Sequence, residues 1–172
     1  MNYSALVTNI KNYVEDDSTE LSASIDVIIS QAEEMIFQRL PSLPCFRQIT
    51  TGTLVVGTFD YTVANARMIR QVSITDSDSN VVYLDHRVDS YLRDYSPNIG
   101  TKSTPEMYST KKAGTSGTVI TLAPTPSATL SFQVDFVAPA TGLSSSNTTT
   151  WLGNNAEKVL LAAALYEPST FL

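Results

Sequence analysis

Leu130-Ser131-Phe132-Gln133-Val134-Asp135-Phe136 decides how the chain is read. Apolar and polar side chains alternate through all seven positions. That is the period of a strand with one face buried and the other polar. Working back from it, Thr118–Leu122 and Pro105–Thr110 have the same strand-like composition. Ala113-Gly114-Thr115-Ser116-Gly117 reads as the hairpin loop between those two, and Pro124-Thr125-Pro126 separates the later pair. Further upstream, Phe46–Leu54, Phe59–Val63, Met68–Thr75 and Val81–Leu84 are rich in β-branched and aromatic residues. Only His86–Tyr95 breaks the run: Val88, Tyr91, Leu92 and Tyr95 fall at helical spacing and predict a short helix.

Both flanks of this β-rich stretch are helical. Tyr3, Leu6, Val7, Ile10, Tyr13 and Val14 make one apolar stripe at i, i+3, i+4, i+7 spacing. Glu15–Thr19 interrupts it with turn-forming residues. A second helix follows, with Ser22 or Ser24 as its expected N-cap and Leu21, Ile25, Ile28, Ile29, Ala32, Met35, Ile36 and Leu40 on its apolar side. Glu33, Glu34 and Arg39 fall on or beside the other face, and Pro41 stops the helix. The short polar link predicts an antiparallel helix hairpin. After the polar linker Pro139–Thr150, helical composition returns from Trp151 through Val159–Leu165, with Asn154 or Asn155 expected to cap the body and Pro168 to end or bend it.

The order of segments predicts an α+β fold: a helical bundle built from the N-terminal helix pair and the C-terminal helix, with an inserted antiparallel β domain. The expected divisions are 1–44 for the helix pair, 45–140 for the β-rich insert with its short helix near 86–95, and 141–172 for the linker and last helix.

Composition narrows the function. Eleven Lys and Arg against 17 Asp and Glu give a net charge of −6 over 172 residues, a poor balance for gripping phosphate backbones. One cysteine, Cys45, excludes an internal disulfide, and one histidine, His86, excludes paired-histidine metal motifs. No cofactor is expected. Charged residues are only 16% of the chain, and Ser and Thr, roughly a quarter of it, take their place against ordinary averages. Such a neutral hydroxyl surface suits a structural protein whose faces are buried against other chains. The longest apolar runs are too short for a membrane span, and Met1-Asn2-Tyr3-Ser4 does not begin a signal peptide. A soluble product of a host cytoplasm is expected.

Four stretches could carry chemistry, and each has a plainer reading. Asp76-x-Asp78-x-Asn80 resembles the start of a calcium loop, but Val81 and Arg87 occupy the positions that need Gly and Glu, so a turn capped by Asp and Asn is favoured. His86 between Asp85 and Asp89 could be an oriented general base, yet no nucleophile elbow accompanies it. Cys45 between Pro44 and Phe46 reads as a packed thiol. Gly114–Thr118 after Lys111-Lys112 has the look of a phosphate loop, but the lysines precede the glycines and a strand follows. No catalytic residue and no metal ligand is assigned, and the chain reads as a non-enzyme.

The last helix is apolar nearly all round, because Leu160, Leu161, Ala162, Ala163, Ala164 and Leu165 are consecutive. A helix of that kind is buried on every side. Two readings stand: part of the burial comes from another subunit, or this is the central core helix of its own chain. On the first, the interface residues are Trp151, Leu152, Leu160, Leu161, Leu165, Phe171 and Leu172.

The ordered combination resembles the head–tail adaptor (connector) proteins of tailed bacteriophages. The resemblance runs through Leu6–Asn12, Ser24–Glu33 with Arg39-Leu40 after it, and Pro105-Glu106-Met107-Tyr108. It continues through Val119–Pro126, Leu130–Phe136, and Asn147–Leu152 leading into Val159–Leu165 and Glu167–Leu172. The chain departs from the pattern in separating Asn147 from Trp151, and family members tend to continue past Phe171-Leu172 with a helical tail. The resemblance implies a structural virion protein of the neck. Such a protein is expected to form a homo-oligomeric, dodecameric ring beneath the portal protein and to join it to a tail or nozzle protein. Rings of this kind often close only on the portal. Their helical layer faces the portal or lines the ring, and genomic DNA passes through the lumen without sequence recognition. A ring of twelve such chains would carry roughly −70 charges, which repels phosphates and lets a duplex slide. Head-to-tail closure needs a different patch on each side of every copy. Alternatives are another tail or baseplate component, or a small carbohydrate-binding or enzyme domain using Tyr83–Tyr95.

Overall fold

A computed structural model describes residues 1–114 and 117–169. The chain is α+β and divides into two compact units. One combines Met1–Phe46 with the segment from Pro139 onward; the other is Arg47–Ala138.

In the helical unit, α1 spans Tyr3–Val14 and α2 spans Thr19–Arg39. Asn2 caps α1, its side-chain oxygen accepting from the Ala5 amide at 2.9 Å. Leu6 and Ile10 are the buried residues of its stripe, whereas Tyr13 is 69% exposed and lies off it. The expected cap of α2 is corrected. The helix starts a turn earlier, at Ser18, whose Oγ accepts from the Leu21 amide. Asp16 steadies that cap by accepting from the Ser18 amide at 2.7 Å. Ser22 and Ser24 instead donate their hydroxyls back to the carbonyls of Ser18 and Glu20, which is how serine sits inside a helix. The Tyr3 hydroxyl donates to Asp26 at 2.5 Å, tying the start of α1 to α2.

The single C-terminal helix read from the sequence is two. α4 is Trp151–Asn155 and α5 is Glu157–Ser169. Thr150 caps α4 through its Oγ1 on the Gly153 amide. The break falls at Ala156, whose N–H closes α4 on the Leu152 carbonyl while its own carbonyl accepts from Leu160 in the first turn of α5. The asparagines do not cap: Asn155 donates its side-chain amide to the Trp151 carbonyl. α5 runs alongside both α2 and α1, and Leu160, Ala163 and Ala164 fill the space between with Ile25, Ile29, Ala32, Ile36, Leu6 and Ile10, all buried.

The β unit holds two four-stranded sheets. The first, all antiparallel, consists of β1 (Arg47–Thr53), β3 (Met68–Thr75), β4 (Val81–Tyr83) and β10 (Ser131–Val137), in the order β1-β10-β3-β4. The second consists of β2 (Asp60–Val63), β5 (Asp85–His86), β7 (Met107–Lys112) and β8 (Thr118–Ala123), in the order β2-β8-β7-β5. Two short pairings are parallel rather than antiparallel: β5 with β7, and β6 (Lys102–Ser103) with β9 (Thr125–Pro126). The short helix α3 is Asp89–Tyr95. Val72, Ile74, Val134 and Phe136 from the first sheet join Val63, Tyr108, Ile120 and Leu122 from the second in one buried cluster.

β10 is central, and its alternation needs one correction. Phe132, Val134 and Phe136 turn inward as the pattern requires, but Asp135, on the polar face, is only 6% exposed. Arg47 on β1 covers it. Its Nε donates to both carboxylate oxygens at 3.1 and 2.9 Å, and its Nη2 makes a further close contact. A register shift between Asp135 and Phe136 against β3 accompanies the burial.

Candidate functional site

The turn Asp76–Asn80 uses its carboxylate on its own backbone. Asp76 Oδ1 accepts from the amides of Asn80 and Asp78 at 2.8 and 2.9 Å, and Oδ2 accepts from the Asn80 side chain. The Asn80 amide, then its side chain, hold the Asp76 carboxyl below its ordinary range. Ser79 sits in the left-handed region at φ 65°. This is the capped turn rather than a cation loop.

His86 lies exposed in β5, its ring 5.0 Å from that of Tyr108. The two carboxylates that could have oriented it are engaged elsewhere: Asp85 with Arg87 at 3.2 Å and Asp89 with Arg93 at 2.5 Å. The arrangement does not assemble a base–carboxylate pair. Lys111, one of the two lysines before the glycine-containing β7–β8 tip, is tied to Asp60 at 2.7 Å. β7 and β8 form the expected hairpin, with Gly114 and Gly117 at φ +49° and +103°; Thr115 and Ser116 lie outside the described residues. A hollow of about 480 Å³ beside this ion pair is lined by Phe59, Leu92, Arg93, Ile99 and Thr121. Its charged lining groups are all in ion pairs: Asp89 with Arg93, and Lys111 with Asp60. Among the described residues, no group of three or more His, Cys, Asp or Glu could hold a metal ion.

The helical unit has a narrower cleft, about 140 Å³, between α2 and the linker 139–150. Glu33 and Cys45 line it. Burial pushes the Cys45 thiol up, away from the thiolate a nucleophile needs. Glu33 is the residue that sequence reasoning missed. Placed by the sequence on or beside the polar side of α2, it is half-buried, and both its oxygens accept from the Leu143 amide at 3.1 Å. Burial raises its pKa, and the amide offsets part of the rise. A Cβ on Gly142 would meet Glu33 Oε2 at 2.6 Å, so a larger residue there would have to push the carboxylate aside. Asn147 then knits the linker to itself, donating to the Thr141 and Gly142 carbonyls.

The assembly candidates divide by exposure. Leu152 and Leu160 are buried within the helical unit at 3% and 0%. Leu161 and Leu165 are half-buried, Leu161 in a groove with Ala5 and Asn9 of α1. Trp151 is partly exposed. Phe171 and Leu172 lie outside the described residues. The side of α5 that the unit leaves open carries Val159, 48% exposed, and Ala162, also exposed. α5 therefore serves as both core and surface: one stripe is enclosed by its own chain, and a second apolar stripe is not.

The family model of the SU10 adaptor protein matches residues 1–172, and the chain belongs to that family of phage structural adaptors, which are not enzymes. No curated protein matches the chain at a significant level.

Proposed function

We propose, from membership of the SU10 adaptor family, that this chain is the head–tail adaptor of a phage neck. Copies join head to tail in a ring, dodecameric in the reading given above, between the portal and the tail, and the genome passes through the lumen. The observation that carries this reading is the double character of α5. Leu160, Ala163 and Ala164 complete the unit's own core, yet Val159 and Ala162 remain as apolar surface. An apolar stripe on a helix whose core face is already satisfied supports burial against another chain.

Chemistry and charge agree. The candidate reactive groups are spent on turns, ion pairs and packing. The net charge of −6 per copy would make the lumen of a ring repulsive to phosphates, which suits passage rather than grip. Ring closure requires two different contact patches per copy; the α5 stripe is one.

The test is co-assembly. The purified chain, alone and mixed with its portal, is followed by size exclusion with light scattering. The portal should convert it into a complex whose added mass is a multiple of the chain's 18.7 kDa. Val159→Asp should stay folded by circular dichroism and fail to enter that complex. A variant incorporated like wild type would remove α5 from the interface, and a chain that never joins the portal would contradict the adaptor reading.

A further inference from the structure

Among the described residues, no strand pairs with the outer side of β1 or of β4 in the first sheet of the β unit. β1 bonds β10 through alternate residues. The Leu54 amide on the Leu130 carbonyl sets the phase, so Gly52 and Thr50 also face β10, in the register Gly52↔Phe132 and Thr50↔Val134. Ile49, Thr51 and Thr53 then turn their N–H and C=O groups to the open side. β4 does the same at the other end. The Leu84 amide bonds the Val72 carbonyl, and the Asp76 amide bonds the Asn80 carbonyl. Val82 pairs with Ile74 in the same phase, which leaves Val81 and Tyr83 facing outward.

The two edges match in other respects. Ile49 is 61% exposed, Val81 58% and Tyr83 63%. Neither edge carries the lysine, proline or inward charge with which sheets usually discourage partners. The one charge, Arg47, is occupied by Asp135. Ile49, Thr51 and Thr53 share the sheet's outer face with Val81 and Tyr83, because the registers put Phe132, Val134 and Ile74 on the inner one. Strand directions alternate across β1-β10-β3-β4, so β4 runs opposite to β1.

We infer that the occupant of each edge is a second copy of this chain: β4 of one subunit adds to β1 of the next, antiparallel, and extends the four-stranded sheet from copy to copy. An even number of alternating strands is what allows this. The next β1 meets β4 in the antiparallel sense without any rearrangement, the outer faces run on continuously, and two different patches join head to tail. The register that sets Tyr83 opposite Ile49 and Val81 opposite Thr51 forms an aromatic–β-branched cross-strand pair and up to four backbone bonds. Four strands at about 4.8 Å spacing give ~19 Å per copy, hence a sheet circumference of ~230 Å for twelve copies. A three-residue contact is weak by itself and becomes stable only where every edge is filled at once, as in a closed ring. This inference rests on the ring reading above and adds to it a contact whose two complementary patches are both named.

A disulfide test separates the two. In a Cys45→Ser background, Ile49→Cys and Tyr83→Cys are combined, with each single variant as control. Directly opposed residues of a bonded antiparallel pair lie about 5.5 Å apart at Cα, within disulfide reach, whereas β1 and β4 of one chain are separated by two intervening strands. Particles assembled with the double variant are oxidised mildly and run without reductant; a parallel sample is treated with glutaraldehyde. The inference predicts a ladder of disulfide-linked multimers, reversed by reductant and absent from either single variant. A glutaraldehyde ladder without a disulfide ladder, also absent when Thr51→Cys or Thr53→Cys replaces Ile49→Cys, keeps the ring and overturns edge pairing. A disulfide to a different virion protein overturns the second copy as occupant. No multimer by either chemistry overturns the ring itself.

Discussion

Both units bury a carboxylate, and they do so on opposite terms. In the β unit, Asp135 is covered by the Arg47 guanidinium. In the helical unit, Glu33 is half-buried and its buried partner is the Leu143 amide. The first is a charge pair that links the edge strand β1 to β10. The second is a charge held against burial to anchor the linker that returns the chain to its helices. The β unit is electrostatically settled, with Lys111, Arg93 and Asp85 in ion pairs as well. The helical unit relies on apolar packing, and its α5 presents an apolar outer stripe. On the proposed reading, core and contact positions are therefore separable within α5, and among the described residues most ion pairs lie in the β unit.

The largest effect should come from the α5 core. Leu160→Ala removes a fully buried side chain and should cost about 2–5 kcal/mol in urea unfolding. Val159→Ala, one residue away and half exposed, should stay within ~0.5 kcal/mol of wild type. Equal losses at the two positions would break the distinction between core and assembly stripe. Leu161→Asp should also abolish incorporation into particles. Because Leu161 packs toward α1, that loss would combine damage to the fold with damage to the contact, so Val159→Asp is the cleaner probe.

Next in size is the linker anchor. Glu33→Ala strands the Leu143 amide and should cost roughly 1–2 kcal/mol, whereas Glu33→Gln keeps an acceptor and should lose far less. A pH series sharpens the contrast between units. The raised pKa of Glu33 means that the folded chain binds its proton more tightly than the unfolded chain does. This contribution is fully present below the ordinary carboxylate range and is lost as pH rises through the raised value. Asp76 has the opposite sign: its lowered pKa adds stability above the ordinary range that is lost as pH falls through the lowered value. Glu33→Gln should remove the first dependence and Asp76→Ala the second. If Glu33→Gln leaves the pH profile unchanged, the buried carboxylate is not titrating as described.

The smallest effect should be at His86, exposed and without a paired carboxylate. His86→Ala should leave unfolding midpoints and particle assembly unchanged. A marked loss of assembly would give that face a role absent from this account.

Much of the fold was legible because its signals are periodic. The alternation around Val134 and the stripe of Ile25, Ile29, Ala32 and Ile36 each point to one face, and those residues are buried. What escaped the sequence depends on partners distant in the chain. Asp135 occupies a polar position of its strand, and nothing local says that Arg47, 88 residues away, will bury it. Glu33 stands between Ala32 and Ile36, and only the returning linker reveals why it faces inward. The cap of α2 was misplaced because Ser18, Ser22 and Ser24 are equally plausible by composition. The side chain of Asp16 tips the choice to Ser18. At Ala156 the helix breaks without a glycine or proline, so residues 151–165 read as one element. The two readings of α5 could not be divided from sequence, since its buried and exposed positions are written in the same aliphatic residues; exposure sorts Leu160, Ala163 and Ala164 from Val159 and Ala162.

The most direct test is a density map of the native particle at a resolution that separates α5 from the sheets. The expected result is a closed ring of this chain on the portal axis, with Val159 and Ala162 covered by a neighbouring subunit. Single copies scattered along the tail, or a ring in which both residues face only solvent, would contradict it.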